Sequence, residues 1–586
     1  ALADRGTAPA ETSDIYDMFT AAMLRPLPPR RQKFLAVMGL ADEFTGEMAR
    51  FITKEPDTAE ILSDLTAKNA FVTRLPGGGY RFHHMMKACA QRDFDALPPE
   101  EQAAYQARYG HWYAENGQYL QALVAYSKAG RWDDALEVVQ QDAGILLAAL
   151  RPQQVLELLD RCGDQVLMEH PTALLVLMRR MFTWGQIPRM RQLKELLLES
   201  VRRHPKLTDR QRGNLLGECD LIESFLYYND IGAMSRFHRS ASRQMTRQAV
   251  SIQSHGSWTF GSPSVLMMFH RTPGQLDREL ADMDECMPHY YQITGGHGMG
   301  AQLIMEGEAA LARGRLNDGA IALERARAAI SGSGQENMAL CCDFLEMRLH
   351  MAAGEAARVD LRRRRQLLQQ HNAMWLHIFD STAAYCQAEL FREHRLDTVN
   401  FLGPCLPMMQ MIENQVYLAQ GAYARVIGGS EGLLALCRGM HYALVELYVL
   451  VQTAAAYEKL GKRREAAELL GQAADGLVTP FAENGCYLRE LLPECGDLGR
   501  EAAELSRALE QGTQQEQRPE AFAPLTEREW AVAQRMARRL SNREIAGQLF
   551  LTEGTVKQYI NQIYSKLHLT GDARTKRRRL EELMGE

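Results

Sequence analysis

Between residues 524 and 567, three helix starts crowd into a span too short for anything but brief helices and tight turns. Thr526 and Ser541 are each followed three residues later by a glutamate, Glu529 and Glu544. This is the capping-box spacing, in which hydroxyl and carboxylate satisfy free backbone N–H groups at a helix start. Thr552 offers a third N-cap without an acidic partner. Short helices joined this closely form a helix-turn-helix arrangement, which can set one helix into a DNA groove.

The third helix is expected over residues 552–567. Val556, Ile560, Ile563 and Leu567 recur at steps of four, three and four and make its buried stripe. Lys557, Gln558, Asn561 and Lys566 fall off that stripe. Amides pair with adenine and lysine with guanine in the major groove, so Lys557, Gln558 and Asn561 are the candidate base readers. Thr555, Arg543 on the preceding helix and Lys566 are placed for phosphate, where they would set register without reading sequence. Ile545, Ala546 and Leu549 supply the inward face of the preceding helix.

The chain has 586 residues, enough for several domains, and 46% hydrophobic with 24% charged residues is ordinary globular composition. Net charge is −6, yet residues 524–586 hold 12 Lys/Arg against 8 Asp/Glu, leaving about −10 on the remainder. A basic tail on an acidic body fits one nucleic-acid module joined to a larger part with another task. The 11 cysteines show no CxxC pair and read as reduced thiols packed as small hydrophobes, in a cytoplasmic protein. No stretch is apolar for long enough to span a bilayer. HExxH and metal-spaced Cys/His patterns are absent, and the chain is read as a non-enzyme with no cofactor and no metal site.

Residues 1–95 are read as a winged-helix-like domain. Helical patterns at 29–40, 45–54 and 57–69 precede two strand-like segments, Phe71-Val72-Thr73-Arg74-Leu75 and Tyr80-Arg81-Phe82-His83, joined by Pro76-Gly77-Gly78-Gly79. Glu43, Glu47, Glu55, Asp57, Glu60 and Asp64 make this segment a poor surface for phosphate. From 100 to 510 the pattern is helical, with Gly117, Gly130 and Gly461 each followed five residues later by alanine, and Gly314 followed by Gly319 and Ala320. A glycine that ends one helix and a small residue that admits the next suit a tetratricopeptide-like solenoid, a mostly α sensor domain without a clean 34-residue register. Within it, Thr294-Gly295-Gly296-His297-Gly298-Met299-Gly300 lacks the lysine of a phosphate loop and reads as a mobile inter-helix loop. The irregular stretch around Trp258 and Phe260 is the candidate ligand pocket, with both rings as stacking faces. Residues 511–521, polar with Gly512 and Pro519, are the expected linker to a four-helix domain at 522–586.

Leu525-Thr526-x-Arg528-Glu529, Leu540-Ser541-Asn542-Arg543-Glu544-Ile545-Ala546, Thr555-Val556-Lys557 and Ile563-Tyr564-Ser565-Lys566-Leu567 together resemble the LuxR-type helix-turn-helix of bacterial transcription regulators. The resemblance implies that Lys557, Gln558 and Asn561 face the bases. Arg539 stands where the family usually has glycine, and Tyr559 at a usual histidine position. Upstream, Phe34-Leu35-Ala36-Val37 through Tyr80-Arg81-Phe82-His83-His84-Met85 resembles the winged helix that follows the ATPase module of MalT-like regulators. No GxxxxGK[ST] loop occurs, so either the natural protein lacks the ATPase module or the sequence is truncated ahead of it, and the start at Ala1 favours truncation. In related signalling ATPases a winged-helix histidine reaches the nucleotide phosphates, which the resemblance carries to His83 or His84. The reading is a bacterial DNA-binding regulator whose sensor answers a small-molecule or protein effector. Double-stranded DNA is its first partner, with a second copy of the chain and RNA polymerase as further ones. The alternatives are a helical-repeat interaction scaffold and a fragment of a nucleotide-dependent signalling switch.

Overall fold

The computed structural model describes residues 16–67, 72–205, 207–252, 256, 258–259, 261–353, 361–371, 375–386, 405–473, 476–514, 520–522, 524–537, 540–549 and 551–583. The chain divides into two compact units, Ala1–Ile222 and Glu223–Glu586. The division falls inside the stretch expected to be one continuous solenoid.

The first unit opens with α1 (Pro29–Met38), α2 (Gly46–Thr53) and α3 (Thr58–Ala67), followed by β1 (Val72–Arg74) and β2 (Tyr80–Phe82). Proline at the first position of α1 gives up an N–H that would be unpaired in any case. The Thr45 hydroxyl accepts from Met48 N–H at 3.1 Å and caps α2. β1 and β2 pair antiparallel with Val72 opposite Phe82, and Phe44 adds a single bridge to Tyr80. Gly78 turns the hairpin at a φ of 85°. This is the expected winged helix, with helix ends one or two residues inside the expected ones.

It does not stand alone. α4 (His84–Asp95), α5 (Pro99–Glu115), α6 (Tyr119–Lys128) and α7 (Trp132–Gln141) follow. Tyr109 and Ala125 belong to the same core as Phe34, Leu35, Phe44 and Phe82. The Tyr109 hydroxyl donates to the Val37 carbonyl at 2.9 Å. Each fully buried large side chain in this shared core contributes about 1.5–3 kcal/mol, so the winged helix and the first helical pair are one packed body.

Six helix ends share one geometry. Gly117, Gly130, Gly185, Gly314, Gly421 and Gly461 all have φ between 67° and 75°. At each, the glycine N–H bonds back three residues and the next N–H bonds back five, for example Gly130 to Ser127 and Arg131 to Tyr126. That is the Schellman ending, which wants glycine because the left-handed turn penalises a Cβ. Ala122, Ala135 and Ala466, five residues after their glycines, are fully buried. After Gly314 the buried small residue is Gly319, while Ala320 is exposed. This recurring turn is the local rule that builds the helical hairpins.

The second unit contains α8 (Ala301–Ala312), α9 (Leu316–Ile330) and α10 (Glu336–Ala352), and α10 carries a buried charge. Arg348 and Glu483, 3% and 2% exposed, pair at 3.1 Å. The hydroxyls of Tyr448 and Tyr385 both donate to Glu483. The glycine run before α8 departs from expectation. Gly295, Gly296, Gly298 and Gly300 are all left-handed, but the loop is pinned rather than free. His297 is buried with its Nδ1 2.8 Å from the Tyr290 hydroxyl, and Gly298 N–H donates to Gln335 at 2.5 Å. α11 (Gly496–Gln514) continues four residues into the stretch expected as linker, and 515–519 lie outside the described residues.

Candidate nucleic-acid interface

Four helices make the C-terminal domain: α12 (Glu527–Ala537), α13 (Asn542–Leu549), α14 (Glu553–Lys566) and α15 (Ala573–Leu583). Both capping boxes form. Thr526 N–H donates to Glu529 at 2.6 Å and Glu529 N–H returns to the Thr526 hydroxyl at 3.3 Å. Ser541 and Glu544 repeat the exchange at 2.7 and 3.3 Å. The Thr552 hydroxyl accepts from Thr555 N–H at 3.1 Å, so all three expected N-caps are in place.

These caps fix where each helix begins, and the apolar stripe fixes how it is rotated. Val556 and Ile563 are 0% exposed and pack with Ile545, Ala546 and Leu549 of α13, while Ile560 and Leu567 are half-buried at the edge of the same core. The opposite face of α14 is therefore turned outward. Lys557, Gln558 and Asn561 are all exposed on it, and the polar strip continues through Gln562 and Ser565, which sequence spacing had not singled out. Three base-reading candidates thus share one open helix face.

The phosphate candidates divide. Arg543, in the first turn of α13, is exposed. Thr555 is half-buried, with its hydroxyl 2.8 Å from that of Thr552. Lys566 is committed elsewhere: its ammonium lies 2.7 Å from Glu529, which is buried at the start of α12. That ion pair, with the N–H and hydroxyl of Thr526, holds the Glu529 carboxyl below its ordinary range against the opposing pull of burial. Lys566 therefore ties α14 to α12.

The basic run 574–579 proves to be divided labour. Arg577 donates to the carbonyls of Met536 at 3.0 Å and Leu540 at 2.6 Å, capping the C-terminal end of α12 from α15. Arg579 bonds the Thr570 carbonyl, Lys576 lies over the Tyr564 ring, and Arg578 pairs with Glu582. Arg539, at the turn where glycine is usual, lies outside the described residues, but the carbonyls on either side of it are those that Arg577 holds. The signal for this cap was in the sequence only as an arginine, with nothing to set it apart from its neighbours. At a second such position, His568 takes φ 54° at the end of α14 in the same Schellman pattern that glycine serves elsewhere.

The two other groups of candidates lie far from this domain in sequence. His83 and His84 are exposed where β2 meets α4, with ring centroids 4.1 Å apart. Trp258 is half-buried, stacked on Phe269 at 5.0 Å and packed against Gly298, so its ring is engaged in internal packing. The backbone N–H groups of Trp258 and Thr259 both donate to the Asn337 Oδ1 at 3.0 Å. Phe260 lies outside the described residues.

Comparison with known proteins agrees with the geometry at both ends. Residues 20–102 match the MalT winged helix domain, and residues 523–575 match the bacterial regulatory proteins of the luxR family. Transcriptional regulatory protein LnrK of Bacillus subtilis (strain 168) is 43% identical over 56 residues, covering 10% of this chain and 26% of that protein. The chain thus matches about a quarter of the length of that relative. A solved STAND protein (signal transduction ATPase with numerous domains) with a tetratricopeptide repeat sensor, from Pyrococcus horikoshii, aligns over 87% of this chain and 66% of its own. The TM-score is 0.27 and the identity 13%. No helix among the described residues is long and apolar enough to cross a membrane. The chain thus matches a MalT winged helix domain near one end and the luxR-family regulatory domain at the other.

Proposed function

We propose that the chain is a cytoplasmic DNA-binding transcription regulator. Its helix α14 enters the major groove with Lys557, Gln558 and Asn561 toward base edges. Arg543 and Thr555 contact the backbone on either side of the turn between α13 and α14. The observation that carries this reading is the outward strip of α14, held in orientation by the fully buried Val556 and Ile563 beneath it. Lys566 is left out of the contact set because its ammonium serves Glu529.

The helical body would sense an effector, a small molecule or a protein, and alter how the C-terminal domain is presented, with a second copy of the chain pairing on two half-sites and RNA polymerase as the downstream partner. No residue here is assigned a catalytic role. If a nucleotide-binding module acts with this chain, His83 and His84 are its points of contact on the winged helix.

The test uses the full chain. A site is selected from random duplexes, and Lys557→Ala and Asn561→Ala are measured on it by fluorescence anisotropy. Each should cost about 1–3 kcal/mol and relax preference at one position, whereas Arg543→Ala should weaken all duplexes alike. Failure to enrich any sequence, or wild-type affinity in both α14 variants, refutes the base-reading assignment.

A further inference from the structure

In the first unit, a cleft of about 580 Å³ opens between α2 of the winged helix and the helices α5–α7. Arg50, Phe51 and Lys54 line one wall, and His111, Tyr126 and Arg131 the other. We propose that this cleft binds a small aromatic anion, a phosphate or carboxylate head carried on a flat ring.

The charge argument comes first. Arg50, in the last turn of α2, and Lys54, the left-handed residue that ends it, bring two like charges to one end of the helix. Neither forms an ion pair with a carboxylate among the described residues, whereas Arg30 and Arg31 of the same domain both do. Arg131 faces them from the N-cap of α7, the end of a helix where the macrodipole disfavours a cation. Asp134, its partner at 2.7 Å, is the only carboxylate lining the cleft. Arg50, Lys54, Arg108 and Arg131 against Asp134 leave a net positive cleft on an otherwise acidic body, and a bound anion would relieve that excess.

The ring argument is independent of the charges. Phe51 is 39% exposed, a large apolar side chain left open beside these cations. It is stacked on His111 with centroids 5.6 Å apart and an interplanar angle of 17°. This presents an aromatic edge into which a further ring could continue the stack. Tyr126 lies flat under Gly110, where a Cβ would meet its ring at 2.6 Å, so the floor is fixed.

The cleft is also preformed. Arg108 donates to the Ile52 carbonyl at 2.9 Å, tying α5 to the end of α2, and α2, α5 and α6 each send residues (Ile52, Tyr109, Ala125) into one core. Its volume lies within the 300–1,000 Å³ common to small-molecule sites.

Isothermal titration of the full chain with phenyl phosphate, inorganic phosphate and phenol tests this. Phenyl phosphate should bind saturably, about tenfold or more tighter than either fragment. Arg50→Gln/Lys54→Gln should lower its affinity about tenfold and Phe51→Ala several-fold, as expected when a charge-assisted hydrogen bond or a ring contact is lost. All three side chains are exposed, so unchanged circular dichroism is expected for every variant. Three results would each overturn the proposal: no saturable heat up to about 10 mM phenyl phosphate, equal affinity for inorganic phosphate, or wild-type affinity in either variant.

Discussion

Glu308→Gln should remove a pH dependence that the buried carboxyl imposes on the second unit. Glu308 sits in α8, 2% exposed, and its Oε2 accepts from Leu266 N–H at 2.7 Å. Burial pushes the carboxyl up from its ordinary value of 4.5 to about 7, although the bonds from Leu266 and Ser264 and the charge of Arg348 pull the other way. The folded protein therefore holds a proton that the unfolded chain releases. Stability from this group is fully present below 4.5 and is lost as pH rises toward 7. At about 1.4 kcal/mol per pH unit, the loss amounts to about 3 kcal/mol above neutrality.

His238 acts in the opposite sense. Burial holds its imidazole down to about 3, so its contribution is lost as pH falls below 6.5. The two slopes overlap, and only the difference between variant and wild type isolates Glu308. Glutamine keeps an acceptor for Leu266 N–H and carries no charge. The variant should therefore match wild type near pH 4.5 and gain about 3 kcal/mol near pH 8. Urea-dependent hydrogen exchange of peptides spanning 261–312 reads this locally, without assuming that a multidomain chain unfolds in one step. A difference that stays constant between acid and alkaline pH would refute the assignment of a protonated Glu308.

Arg348→Met should cost about 3–5 kcal/mol by stranding the buried Glu483, and adding Glu483→Gln should restore most of it, as chemical denaturation would show. Arg577→Ala should lower the stability of the C-terminal domain by about 1.5–3 kcal/mol through the freed Met536 and Leu540 carbonyls, with increased exchange confined to the end of α12. His568→Gly should raise the melting temperature of the same domain, since a left-handed non-glycine residue costs about 1–2 kcal/mol and glycine returns part of it.

What was legible in the sequence was whatever local chemistry dictates. Capping boxes bind groups three residues apart, so Thr526 and Ser541 announced α12 and α13 without reference to the rest of the chain. The spacing of Val556, Ile560 and Ile563 set the rotation of α14, which exposed Lys557, Gln558 and Asn561 as expected. Gly117, Gly130 and Gly461 marked turns because only a left-handed ending tolerates that geometry cheaply. Contacts between distant elements were not legible. Nothing near Lys566 in sequence points to Glu529, 37 residues earlier, and the cap supplied by Arg577 depends on where α15 crosses α12. Trp258 was offered as a stacking face because its stretch is irregular within a helical array, yet Phe269 and Gly298 fold onto it. The buried Arg348, Glu483 and Glu308 lie in stretches whose helical pattern gave no hint that a charge would face inward.

The most direct test of the account is the salt dependence of duplex binding by the full chain. Log affinity should fall linearly with log salt, at about −0.9 for each phosphate neutralised. Arg543, the cation placed on the backbone, would by itself give a slope of about −0.9 per bound copy, or about a threefold loss between 50 and 200 mM salt, and Arg543→Ala should flatten the slope by about one. Binding that is indifferent to salt, or a slope unchanged in Arg543→Ala, would contradict the claim that this face of α13 and α14 meets DNA.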